Sequence, residues 1–186
     1  TPLRMMAARC MATMPPRDLV TAQFVLSFDA DAKIAASAQK SLAELDARLA
    51  NAVLSDNQLH PEVLGGLATA LVANDAYLER LLLNPRTPAN AFVHVARNCS
   101  EAMCEIVANN QARLLEQPDI ARALTENDNA LKSTVDRVVD FLVRSGVILD
   151  GLKAFEEAFL RLNGEERVKA AENVEIDESF LDERHR

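Results

Sequence analysis

Along this chain apolar positions recur at intervals of three and four, the spacing that aligns side chains on one face of an α-helix, while apolar/polar alternation over four or more positions is hard to find. Val63, Leu64, Leu67, Ala70 and Leu71 form one stripe, and Tyr77, Leu78, Leu81 and Leu82 form the next. Met103, Ile106 and Val107 make a shorter one. Val135, Val138, Val139, Leu142 and Val143 make the cleanest, opened by Ser133 with Asp136 three residues later as a variant of the capping box. Leu152, Phe155, Phe159 and Leu162 add a seam with spacings of 3, 4 and 3. Five glycines and seven prolines in 186 residues are few for an all-β domain, which needs many tight turns. The pattern predicts an all-α fold.

Between the stripes the breaks share a chemistry. Phe28-Asp29-Ala30-Asp31, Ser55-Asp56-Asn57-Gln58, Leu83-Asn84-Pro85-Arg86-Thr87-Pro88, Ala108-Asn109-Asn110-Gln111 and Glu126-Asn127-Asp128-Asn129 each join two apolar runs. Asn and Asp suit such places because their side chains cap helix ends and tolerate left-handed backbone. In Thr87-Pro88 the hydroxyl can cap while Pro takes the first helical position, and His60-Pro61-Glu62 opens a helix in the preceding unit. Starting positions 29, 56, 84, 109 and 127 give intervals of 27, 28, 25 and 18, the last short by about one helix. A unit of 25–28 residues holds two short helices and a turn, and such a pair cannot bury both faces alone. The expectation is an α-solenoid or a compact helical array of stacked helix pairs, set against an irregular bundle whose turns happen to fall at similar intervals. The helical-repeat domain spans residues 1–150, with units near 17–28, 29–55, 56–83, 84–109 and 110–148; capping helices follow at 151–173 and an acidic tail at 174–186.

The junction Leu83-Asn84-Pro85-Arg86-Thr87-Pro88 resembles the recurrent Asn-Pro-x-Thr-Pro corner of bacterial HEAT-like and leucine-rich-repeat-variant proteins. Val107 to Leu115 and Ala123 to Asn129 are similar in style, and Ser133 to Val139 resembles the helix that follows such a corner. Residues 25–148 together resemble uncharacterised helical-repeat proteins of deltaproteobacterial type. The resemblance implies a binding scaffold. The chain departs from the family in unit length, most visibly between Asn110 and Asn127, and lacks the cysteine cluster of some leucine-rich-repeat-variant proteins, which argues against an iron–sulfur site.

Composition narrows the partners. Hydrophobic residues at 49% and charged residues at 26% are ordinary globular usage, so wholesale disorder is excluded. A net charge of -8 disfavours nucleic acid and anionic membrane surfaces, which would repel the chain at long range. No stretch approaches the ~18–20 uninterrupted apolar residues that span a bilayer, and no signal-peptide core follows Arg4 and Arg9. Cys10, Cys99 and Cys104 are an odd, sparse set, which points to a reducing, cytoplasmic location. The start at Thr1 rather than Met fits a processed chain or an excised fragment.

Candidate chemistry is thin. His60, His94 and His185 have no second ligand at i+3 or i+4, and Cys99, Glu101, Cys104 and Glu105, with His94 upstream, are the densest potential ligands. Buried apolar cysteines are the simpler reading, and no metal or cofactor is expected. No Gly-x-Ser-x-Gly elbow or P-loop occurs; Gly65-Gly66 lies inside a helical stripe, where close helix–helix approach is its expected use. Glu156-Glu157 and Glu165-Glu166 point about 100° apart on a helix and read as solvated faces. The chain is therefore expected not to be an enzyme.

Arg80, Arg86, Arg97, Arg113 and Arg122 could align in a row if units stack, yet residues 61–154 hold nine basic and twelve acidic groups, so a solvated surface is favoured over a nucleic-acid grip. Residues 155–186 hold ten acidic and five basic groups, and after Asn163-Gly164 a second, more polar helix is expected from Glu165 to about Asn173. The tail there sets Val174, Ile176, Phe180 and Leu181 among carboxylates, as in a segment that docks on a basic-rimmed apolar groove or packs back as a cap. The functional expectation is a non-enzymatic scaffold that binds a partner protein. Candidate contacts are Arg86, His94, Arg97 and Arg113, with Ile176, Phe180 and Leu181 in the tail; a homo-oligomer stays open. A nucleic-acid-associated HEAT-like protein and a small-ligand regulatory domain are the alternatives.

Overall fold

In the computed structural model of the chain, residues 2–172 are described, with side chains given through residue 164. The described residues are all-helical and contain no strand. The helices are α1 (Pro2–Ala8), α2 (Pro16–Leu26), α3 (Ala32–Ala43), α4 (Ala47–Val53), α5 (Pro61–Ala70), α6 (Asp75–Leu82), α7 (Ala89–Asn98), α8 (Glu101–Asn109), α9 (Gln111–Glu116), α10 (Asp119–Thr125), α11 (Lys132–Arg144) and α12 (Lys153–Glu172). No helix among the described residues is long and apolar enough to cross a membrane.

Polar side chains cap the start of half of these helices. Asp31, Asp46, Asn74, Ser100 and Asn110 each accept from an N–H in the first turn, and His60 Nδ1 accepts from Glu62 N ahead of Pro61. Apolar residues flank several caps at the positions where a hydrophobic staple forms: Leu45 and Ala50 around Asp46, Leu59 and Leu64 around His60, Cys99 and Cys104 around Ser100, all buried. At the far end of α11, Gly146 (φ 79°) takes the left-handed position; its N–H reaches Val143 O and Val147 N–H reaches Leu142 O, which stops the helix.

Helix contacts form two strings. One runs α2, α5, α7, α10; the other runs α6, α8, α11, and α12 lies on α11. Between them sits one continuous core that includes Val20, Leu64, Leu67, Leu78, Phe92, Val95, Val107, Ile120, Leu142 and Phe155. A small second cluster, Ala8, Ile34 and Ala38, fastens α1 to α3. Burying one such Leu or Phe contributes about 1.5–3 kcal/mol, so each short helix owes its persistence to the neighbours on its string.

The corners carry the polar half of this packing. At Asp29, Asp56, Asn84 and Asn127 the side-chain Oδ1 accepts from the N–H two residues on. At the last three the backbone carbonyl also accepts from the N–H three residues on. That leaves the Nδ2 of Asn84 and Asn127 to serve elsewhere. Asn84 Nδ2 donates to Leu54 O (3.0 Å) and Asp56 O (3.3 Å), and Asn127 Nδ2 donates to Ala96 O (2.8 Å) and Cys99 O (3.0 Å). These carbonyls sit at or just beyond the C-terminal ends of α4 and α7, where intrahelical donors run out. Asp56, which cannot donate, binds Arg17 instead. Side-chain bonds follow the same period: Arg80 donates to Asn51, Arg97 to Glu126, Arg113 to Thr87 O, Arg137 to Glu105 and Arg122 to Asp150 O, across 26 to 32 residues of sequence.

Several local expectations are corrected. Thr87 does not cap α7; Pro88 is its N-cap, and the buried Thr87 hydroxyl donates to Leu81 O. The start of α11 precedes Ser133, with Leu131 as N-cap and no side-chain cap, while Thr134 donates to Glu105. The short interval between 109 and 127 holds two helices, α9 and α10, because Asn110 ends α8 and starts α9 in one step. No break occurs at Asn163-Gly164, where α12 runs on, and Phe159 is 42% exposed while Phe155 and Ala158 face the core.

Two predictions follow from the corners. Asn127→Asp keeps the turn acceptor but removes the donor to Ala96 O and Cys99 O, and should cost about 2–3 kcal/mol in urea unfolding with an unchanged m value. The Arg17 guanidinium, and then the Gln58 N–H, hold the Asp56 carboxyl below its usual range; Thr134 and then Arg137 do the same for Glu105. A carboxyl depressed in the folded state adds stability above its unfolded pKa and loses it as pH falls, so the urea midpoint should decline on acidification below about pH 4. Glu105→Gln should flatten that decline.

Candidate interaction groove

The exposed side of α5 lies between α3 and α7, with the end of α2 against it. Along it run two open depressions of about 430 Å³ and 440 Å³ that share Phe24, Gly66 and Thr69, so they form one groove. Gly65, Gly66 and the Phe24 ring lie along its floor. A Cβ on Gly66 would lie 2.3 Å from Phe24 Cε2, and one on Gly65 would lie 3.5 Å from Pro88 Cγ. Gly66 thus lets the Phe24 ring rest on the α5 backbone, whereas a Cβ at Gly65 would make only ordinary contact with Pro88. The close approach expected of the glycine pair is found at Gly66 and is made by an aromatic ring.

Phe24 and Phe28, four apart at the end of α2, meet edge to face with centroids 5.3 Å apart. Phe28 is 75% exposed, a large aromatic surface at one end of the groove. At the other end stand Glu62 and His94. The groove-lining residues include Glu62 but neither lysine nor arginine, so this surface does not suit a polyanion.

Of the residues proposed from sequence, the structure places His94 in the groove wall. Arg97, on the same helix, forms an ion pair with Glu126 at 2.7 Å. Arg113 is half-buried: it donates to Glu116, Pro85 O and Thr87 O, and its guanidinium stands 5.5 Å from the Phe92 ring centroid. Arg86 is exposed at the corner between α6 and α7. None of these three arginines lines the groove. Ile176, Phe180 and Leu181 lie outside the described residues.

Phe24, Phe28, Glu62 and Thr69 escaped the sequence reading. Their available signal was the pair of phenylalanines four apart, beside the Gly65-Gly66 stripe.

Among the described residues no three His, Cys, Asp or Glu side chains converge where a metal ion could sit. Cys99 and Cys104 are buried with their sulfurs 3.6 Å apart. Burial first, and then mutual repulsion, pushes the Cys99 thiol far above its usual range; burial also raises that of Cys104. Neither is a ready nucleophile in the closed fold.

Comparison with known proteins gives no match: no family model fits the chain, and no curated protein or solved structure is significantly similar to it.

Gly66→Ala forces Phe24 off the α5 backbone and should cost about 1–3 kcal/mol, measured by thermal or urea unfolding. Adding Phe24→Leu should recover part of that loss; an additive pair would show that the ring and the glycine do not depend on each other.

Proposed function

We propose that the chain is a non-enzymatic, HEAT-like α-solenoid that binds a partner protein along the α3–α5–α7 groove. The observation that carries the reading is the groove itself: a channel along one helix, floored by Gly65-Gly66, with exposed Phe28 at one end and His94 at the other. The two strings of helix contacts and the hydrogen bonds between residues about one unit apart support the solenoid assignment. The junction resemblance around Asn84 adds to it.

An amphipathic helix is the partner element that fits. A channel between two helices and above a third accepts a fourth at ordinary interhelical spacing, and the Phe24 ring on Gly66 gives it an apolar floor. The partner's apolar face would meet Phe24, Phe28 and Ala91, with His94 and Glu62 setting its direction through hydrogen bonds. Exposed Arg86 and Arg97 stand outside the groove, where they would act on encounter rate more than on affinity. The uncharged floor supports a protein partner over nucleic acid, and its openness supports a helix over a small enclosed ligand.

Thr69 is exposed in the groove, so Thr69→Trp fills the channel without touching the core. The wild-type chain, used as bait in lysate of its native host, should retain one protein reproducibly. Thr69→Trp should lose that protein at unchanged melting temperature, while Arg86→Ala should keep it. Equal retention by wild type and Thr69→Trp would refute the groove as the binding surface.

A further inference from the structure

Cys99 and Cys104 hold the two staple positions around Ser100, the N-cap of α8. In α5 the equivalent positions are filled by Leu59 and Leu64, so packing alone asks only for apolar contact there. The corner before α8 instead presents two thiols in van der Waals contact, with sulfurs 3.6 Å apart. Asn127 closes over them: its Nδ2 lies 3.3 Å from Cys104 Sγ and 3.9 Å from Cys99 Sγ while also holding Ala96 O and Cys99 O. An S–S bond is about 2.05 Å, which side-chain rotation of adjacent thiols can approach without bringing in a distant element.

We propose that Cys99 and Cys104 are a reversible oxidation site that closes to an intramolecular disulfide with a low-molecular-weight disulfide of the glutathione type. One cysteine gives up its proton to solvent, and its thiolate attacks the small disulfide. The S–S bond of the reagent breaks, a mixed disulfide forms, and the first small thiolate leaves and takes up a proton. The second cysteine, as thiolate, then attacks the protein-side sulfur and expels the second small thiol. Two protein thiols are oxidised by two electrons, and one small disulfide is reduced to two thiols.

The geometry decides between this outcome and a stable adduct. Because the second sulfur already touches the first, the resolving step is intramolecular and outruns dissociation or further exchange. Entry is the slow step. Both cysteines are 1% exposed or less and burial holds both as thiols, so reaction waits on opening of the α7–α8 corner. Exposed Cys10 reacts earlier but has no cysteine in contact, so it stops at the mixed disulfide. Once formed, the cross-link ties the C-terminal end of α7 to the first turns of α8, beside the Asn127 corner that follows α10. The site is separate from the groove and does not rest on the binding reading.

The test uses the full chain carrying Cys10→Ser, which keeps a polar group for Gln23, incubated in oxidised and reduced glutathione mixtures at pH 8. Samples are quenched in acid, unfolded, alkylated and analysed by mass spectrometry. The expected product has lost two hydrogens, is unalkylated at both positions, yields a cross-linked 99–104 peptide, and returns to the dithiol with dithiothreitol. Its rate should level off at high oxidant because opening becomes limiting. With Cys99→Ala also present, a glutathione adduct should accumulate on Cys104 instead. Full alkylation of both cysteines after prolonged oxidation, or a persistent adduct on one of them when both are present, would overturn the proposal.

Discussion

Short helices leave an unusually large share of their backbone unpaired. A helix of six to thirteen residues, the range from α9 to α11, has four carbonyls at its C-terminal end without an intrahelical donor, and here several of those ends are inside the packed interior. Each needs a donor from elsewhere. Asn84 and Asn127 supply it, reaching from one corner to the end of α4 and of α7 respectively. A leucine in either place would leave buried carbonyls unpaired, at about 1–3 kcal/mol each. At both places the donor comes from an asparagine 28 to 31 residues later in sequence than the carbonyls it satisfies.

The same constraint shapes the surface. Helices α3, α5 and α7 lie side by side, and the Phe24 ring rests on Gly66 between them. Several arginines bond to residues distant in sequence, as Arg113 shows by stacking on Phe92 while it donates to Pro85 O and Thr87 O. What is left open is apolar, aromatic at one end and weakly polar at the other. That distribution supports recognition of a helix of another protein, which wants area and fit more than charge.

Much of the fold can be read from the residues, because three- and four-residue spacing and Asx-rich breaks are local signals. The stripes at Val63–Leu71 and Val135–Val143 mark α5 and α11. Reading failed where tertiary contacts override local chemistry. Thr87 has a capper's side chain, yet burial turns its hydroxyl toward Leu81 O. Asn163-Gly164 resembles a stop, yet Gly164 meets no neighbour that requires one and α12 continues. Arginine spacing leaves a row of contacts open beside the favoured solvated surface, and spacing alone does not show that Arg97 pairs with Glu126 or that Arg113 donates to Pro85 O and Thr87 O. The groove depends on the Phe24 ring resting where Gly66 has no Cβ, and only packing shows that.

The central claim is that the buried amides of Asn84 and Asn127 join their corners to helix ends 28 to 31 residues earlier. Through-hydrogen-bond NMR couplings on the isotopically labelled chain test it most directly. The account predicts slowly exchanging Asn84 and Asn127 side-chain amides, with couplings from Asn84 Nδ2 to the Leu54 carbonyl carbon and from Asn127 Nδ2 to those of Ala96 and Cys99. Rapid exchange of both amides with solvent, and no coupling to any of these carbonyls, would contradict it.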